Sequence, residues 1–302
     1  MSKSGNATAI GLTAIILWGM LAVLTSYCKR IPSFELTAIT FFIAFLIGIG
    51  YFIRTGCHWS QLRQPIGVWI TGVFGLFGYH ALYFAAMKSA PAIEVSFIAY
   101  LWPTLIVVFS SFLPQEKLRW FHVSGTVIGF LGIALLLLTN GAFRSFSGNS
   151  TGYLLALLCA VIWSSYSVLS RRHKHVPVVM TGAICGVTAL LSAVCHLLFE
   201  ETVAPLPAEW LPIGLLGIGP VGVAFFAWNY GMKHGNIKLL GTLAYFAPLI
   251  SGFLLVLFGR SDYSWRLLAA GVLIIAGAMV TASDTLFRRV RLHIAEQSKE
   301  SA

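Results

Sequence analysis

The chain has 302 residues, 58% of them hydrophobic and 10% charged. Soluble domains carry about 25% charged residues, so this composition excludes an ordinary water-soluble enzyme. The formal net charge is +10, but the Lys and Arg residues punctuate long apolar runs and form no basic stripe, which excludes a nucleic-acid-binding role.

Crossing a hydrocarbon core of roughly 30 Å takes about 20 apolar residues in a helix. Runs of that length recur along the chain and predict an all-α membrane protein with ten spans. These are 8–28, 34–53, 66–87, 91–113, 120–139, 152–170, 177–198, 210–232, 236–258 and 265–285. The first follows the polar start MSKSGNATA and ends in YCKR without a small-residue cleavage site, so it reads as a retained span. Ten spans put both termini on one side of the bilayer. That side carries fourteen of the 20 Lys and Arg residues and the other carries six, which places the termini in the cytoplasm. Five cysteines show no CxxC, so no disulfide framework, metal site or cofactor is expected.

Taken in order, the spans yield a set of candidate binding residues. Trp18 lies deep in the first. The third carries Tyr79 and Tyr83 on one face with His80 beside them, where His80 reads equally as a site residue or a satisfied core histidine. In the fourth, IEVSFIAYLWPTLIVVF, Glu94 follows Pro91 and complements a helix dipole or serves as a coupling acid for a proton or a substrate amine. Tyr100, Trp102 and Pro103 sit at its middle. A proline there costs about 3 kcal/mol or more and frees the carbonyl four residues back, so Pro103 either only shapes the bundle or opens onto a cavity. Trp163 and Tyr166 of the sixth span share a face with Ser167 and Ser170. Trp228-Asn229 falls in the eighth span, and Tyr245 and Pro248 in the ninth. Trp120, Trp210 and Trp265 lie near span ends and fit an interfacial belt, and Lys88 and Lys233 are placed in the headgroup layer. Glycines 125, 129 and 132 on the fifth span suit close packing against the tenth or against another subunit, so an oligomer is allowed but not required.

The candidates repeat at one offset, 145 residues: Trp18 with Trp163, Met87-Lys88 with Met232-Lys233, Ala99-Tyr100 with Ala244-Tyr245, Pro103 with Pro248. The chain therefore divides into a repeat over 1–145, a second over 146–287 and a basic tail over 288–302. Because five is odd, the halves enter the membrane from opposite sides, the inverted plan in which secondary transporters place a substrate site near the midplane. A lining of rings with polar edges suits a small apolar or aromatic substrate with a polar head. Deep spans without paired acids or HExxH predict no catalytic site, so an enzyme is not expected.

This arrangement resembles the drug/metabolite transporter superfamily (EamA type) from about residue 8 to 285. AIEVSFIAYLWPTL (92–105), FFAWNYGMKHGN (225–236) and AYFAPLISG (244–252) are similar to stretches of bacterial aromatic amino acid exporters. The resemblance implies a cavity lined by spans 1, 3, 4, 6, 8 and 9. It also implies efflux of phenylalanine, tyrosine, tryptophan and related apolar compounds across a bacterial inner membrane. On the matching motifs, Tyr100, Trp102, Trp228, Asn229 and Tyr245 belong to the binding surface, and Pro103 and Pro248 shape it. A carrier of the same fold for cationic drugs or amines is the alternative.

Overall fold

The computed structural model describes residues 3–114, 116–137, 150–259, 265–266, 268–281 and 283. Every described element is helical. In chain order they are α1 (Lys3–Gly19), α2 (Leu21–Ser26), α3 (Ser33–Arg54), α4 (Ile66–Val73), α5 (Tyr79–Ser89), α6 (Ala92–Ala99), α7 (Trp102–Ser110) and α8 (Trp120–Leu137). There follow α9 (Ser150–Arg172), α10 (Val179–Phe199), α11 (Trp210–Ile218), α12 (Ala224–His234), α13 (Ile237–Leu243), α14 (Phe246–Leu257) and α15 (Leu268–Thr281). Seven helical stretches are long and apolar enough to cross a membrane: Lys3–Ser26, Ser33–Arg54, Ile66–Ser89, Ser150–Arg172, Val179–Phe199, Pro207–His234 and Ile237–Leu257. Glu94–Ser110, Trp120–Leu135 and Leu268–Thr281 are apolar but shorter. The expected tail, 288–302, lies outside the described residues, as does the junction at 145/146.

Two kinds of irregularity recur 145 residues apart. The first is a break. The fourth segment ends as α6 at Ala99 and restarts as α7 at Trp102, so Pro103 falls in a first turn, where its missing N–H removes no helical bond. The ninth breaks between α13 and α14, and Pro248 is the third residue of α14. Tightened bonds mark both breaks: Leu101 N donates to Ile98 O, and Tyr245 N to Thr242 O. Both prolines are buried in protein. The sequence reading puts each proline in the middle of a span as a kink; the observed irregularity is a single tightened turn just ahead of it, across which the backbone stays close to helical.

The second is a π-turn, at Phe74–Gly78 and again at Gly219–Val223. FGLFG and GPVGV resist regular helix because glycine weakens the ladder and Pro220 has no N–H to give. Ring N–H groups use carbonyls inside these widened turns. His80 Nδ1 lies 2.7 Å from Leu76 O, so that nitrogen carries the proton, and Trp18 Nε1 donates to Pro220 O at 3.0 Å.

Two helix pairs frame the centre. α3 starts after Pro32, which has no capping side chain, so the Glu200 carboxylate at the end of α10 accepts from Phe34 N and Glu35 N at 3.0–3.2 Å. Glu35 in turn accepts from Val203 N, and His196 Nδ1 lies 3.1 Å from Glu200. α8 meets α15 backbone to backbone, since a Cβ on Gly277 would stand 2.4 Å from Gly125 O and 2.7 Å from Gly129 N. The glycines of the fifth segment thus pack on the tenth within this chain. Backbone atoms cannot yield as a side-chain tip can, so Gly277→Val should lose about 1–3 kcal/mol. Thermal melting in detergent should show the loss. Gly214→Ala, whose added carbon meets open space, should melt like the parent, and a Gly277→Val protein doing likewise would contradict the close approach.

Candidate functional site

Four indoles from four helices close on one another at the centre of the bundle. Trp18 of α1, Trp102 of α7, Trp163 of α9 and Trp228 of α12 make all six possible ring contacts, with centroids 5.0–6.5 Å apart. Most are edge-to-face, the arrangement that ring quadrupoles favour at about 0.5–1.5 kcal/mol per pair beyond burial. Trp102, Trp163 and Trp228 are buried. The α6–α7 break delivers Trp102 to this point, and the Ser164 hydroxyl donates to the Trp102 carbonyl at 2.9 Å, tying the restarted helix to α9.

The four differ in how their N–H groups are used. Trp18 donates to Pro220 O, and Trp228 donates to Ser167 Oγ at 3.0 Å. Trp102 and Trp163 have no acceptor among the described residues, and neither nitrogen is among the fully buried polar atoms without a partner, so both donors border open space. Asn229 Nδ2 donates to the Tyr166 hydroxyl at 3.1 Å, so Asn229 and Tyr166 orient each other against Trp163.

Further rings extend the cluster toward α5. Tyr79 packs on Trp163 at 5.6 Å and stacks on Tyr83 at 5.9 Å with planes 9° apart. Tyr83 shares a hydrogen bond with Ser96 of α6. His80 sits among Phe41, Tyr79, Phe84 and Phe225. Gly75 permits this closure, for a Cβ there would fall 2.3 Å from Tyr166 Cγ. Glu94 is in the first turn of α6, buried, and accepts from the Tyr153 hydroxyl.

Other candidates lie elsewhere. Tyr245 is fully buried in a separate cluster with Ile133 and Ile274, its hydroxyl paired with Thr104, and Tyr100 packs on that cluster. The two tyrosines that mark the repeat thus pack beside the breaks; Tyr245 is apart from the tetrad, whereas Tyr100 also lies close to Tyr79 and Tyr83. Trp120 and Trp210, at helix starts, are 76% and 52% exposed, and Trp265 is 64% exposed.

Sequence reasoning missed Phe225 and Phe41, which stack on each other at 5.5 Å, with Phe225 touching Trp18 and Trp163. Phe225 stands one turn before Trp228, and that spacing could have flagged it. Lys233 is a correction. It lies in the last turn of α12 as expected but is buried, 4% exposed, because the α9–α10 link covers it and Val176 O accepts from its Nζ at 2.9 Å. Between Tyr166, Asn229 and Lys233 about 20 Å³ remains open, room for a water molecule. His173 borders this space just past the end of α9. Burial, then His175, Lys233 and Arg172, hold its imidazole below the usual range.

A last cluster joins distant segments. Glu116, between α7 and α8, lies 2.8 Å from Lys238 Nζ and 3.4 Å from Arg171 Nη2. Arg171 also donates to the carbonyl of Gly235 at 2.6 Å, and to those of Met232 and Lys233 at 3.2 and 3.3 Å.

Against known proteins, the EamA-like transporter family matches this chain twice, at residues 6–138 and 150–283. The aromatic amino acid exporter YddG of Ancylobacter novellus is 50% identical over 281 residues, 93% of this chain and 98% of that protein. Its namesake in Salmonella typhimurium is 27% identical, covering 92% and 97%. A crystal structure of a protein 49% identical superposes with a TM-score of 0.88, covering 93% of this chain and 98% of the other.

Proposed function

Because the chain belongs to the EamA-like transporter family, we propose that it exports aromatic and other apolar amino acids across a bacterial inner membrane, with the tryptophan tetrad as its substrate site. The observation that carries this reading is the tetrad itself. Its rings come from separate helices, touch one another, and include two indole N–H groups without an acceptor among the described residues. An aromatic substrate ring can replace ring–ring contacts with contacts of the same kind as the helices part. The free Trp102 and Trp163 donors then meet its carboxylate. The chain is a multi-pass membrane protein and a transporter, not an enzyme.

The architecture we infer is ten spans in two inverted halves, 1–145 and 146–287, with both termini and the tail 288–302 in the cytoplasm. Support comes from the duplicated family match, the breaks and π-turns recurring at one offset, and seven long plus three shorter apolar helices. In this plan the halves alternate access about a site between them. Pro103 and Pro248 fix where two segments break, and Tyr79, His80, Tyr83, Tyr166 and Asn229 form the wall beside the indoles. Tyr100 and Tyr245 support the breaks. Glu94 faces no cation among the described residues, so its carboxyl is the place for a proton or a substrate ammonium. That buried acid is also what favours the second reading, a carrier of organic cations.

Counterflow in proteoliposomes with labelled phenylalanine tests the proposal. Tyrosine and tryptophan should compete at concentrations where organic cations do not. Competition by cations alone would replace it with the second reading, and a response to an imposed proton gradient that Glu94→Gln abolishes would assign coupling to Glu94.

A further inference from the structure

α9 presents two opposite faces. Trp163, Tyr166, Ser167 and Ser170 point into the bundle. Ser165, Val168, Leu169 and Arg172 repeat the same i, i+3, i+4, i+7 spacing about half a turn away. This second face meets Phe109, Phe112 and Leu113 at the end of α7, and between them runs an open groove of about 300 Å³. That size matches the lower end of ligand pockets, about 300–1,000 Å³. Phe112 is 69% exposed on its rim.

The groove has one charged end. Arg172 closes the apolar run of α9, at the level where a helix leaves hydrocarbon for headgroups. One of its Nη atoms donates to Phe112 O at 3.4 Å, and no carboxylate pairs with it among the described residues. The neighbouring Glu116 is already held by Arg171 and Lys238. A guanidinium carries five N–H donors in a planar fork that matches phosphate oxygens.

We propose that this groove binds one acyl chain of an anionic phospholipid, whose phosphate docks on Arg172. A hollow facing lipid tails forfeits dispersion contacts unless a chain fills it, and the unpaired Arg172 selects the chain whose headgroup is negative. The occupant would pack on α7, the restarted half of the broken fourth segment, on the side away from the tetrad.

The test is native mass spectrometry of the full chain in detergent. It uses 1-palmitoyl-2-oleoyl phosphatidylglycerol, the phosphatidylcholine with the same chains, and chain-free glycerophosphoglycerol. One phosphatidylglycerol should be retained about five- to tenfold more tightly than phosphatidylcholine, the scale of one arginine at a membrane surface. Arg172→Gln should reduce phosphatidylglycerol to the phosphatidylcholine level, and Ser165→Phe, which puts a ring into the groove, should weaken both lipids alike. Both variants should keep the parent's melting temperature, so a change in retention is not unfolding. Equal retention of the two lipids by the parent, a preference surviving Arg172→Gln, or equal binding of the chain-free headgroup would overturn the site. None of these readouts depends on which solute the protein carries.

Discussion

Trp163→Ala lowers phenylalanine counterflow by about 30-fold or more, whereas Trp163→Phe lowers it by about fivefold, on the scale of about 0.5–1.5 kcal/mol per ring pair. Trp163 touches six other rings: Trp18, Tyr79, Trp102, Tyr166, Phe225 and Trp228. The alanine removes all of these surfaces and a donor. The phenylalanine keeps one six-membered ring and removes the five-membered ring with the N–H that no described residue accepts. The difference between the two variants therefore reads the stacking that the retained ring supplies, the donor being absent from both. Alanine at this buried position also costs about 3–5 kcal/mol of packing, so melting and counterflow have to be read together. The phenylalanine variant, smaller by the fused ring but still aromatic, leaves less empty space than alanine and carries the test. Trp120→Ala is the control, because Trp120 is 76% exposed at the start of α8. Full transport by a folded Trp163→Phe protein together with undiminished transport by a folded Trp163→Ala protein would remove the tetrad from the substrate path.

The all-helical, apolar character of the chain was legible because apolar runs of fixed length leave few alternatives; among the described residues seven of the expected spans are helices of membrane-crossing length and three are shorter apolar helices. The tetrad was legible too: Trp18, Trp102, Trp163 and Trp228 are deep indoles in a chain whose other tryptophans favour helix ends. What the sequence hid depends on contacts between segments. Tyr100 and Tyr245 stand beside each proline and so read as lining residues, yet Tyr245 turns toward Gly129 and Thr104 because the glycine leaves room there and the threonine offers an oxygen. The π-turns were hidden for a different reason. FGLFG and GPVGV keep the apolar character of their segments, and only the carbonyls taken up by ring N–H groups reveal the shifted register. That Lys233 is buried was hidden too, because the link that covers it is distant in sequence.

The same kind of hidden contact sets the second large effect. One carboxylate, Glu116, engages Lys238 at the start of α13 and Arg171 at the end of α9, and Arg171 in turn closes the open carbonyls of α12. Lys238 also donates to Lys117 O, doubling the hold on the link between α7 and α8. Three segments beyond the tetrad are thus drawn onto one acid whose side chain is 21% exposed, with Lys238 at 9% and Arg171 at 18%. Glu116→Gln keeps the shape and removes the charge, leaving two part-buried cations without their counter-ion. Discounted for partial solvation, that loss is about 1–2 kcal/mol, which under the alternating access proposed above is a five- to thirtyfold shift toward opening of this end. A single cysteine at Ser170, beside the cavity under Tyr166, reports it in a variant lacking the five native cysteines. Its reaction with a water-soluble maleimide should quicken about five- to thirtyfold on Glu116→Gln, and Glu116→Asp should stay near the parent because the charge remains. Unchanged labelling in a folded Glu116→Gln protein would mean that the packing of α7, α9 and α13, not this acid, keeps that end shut.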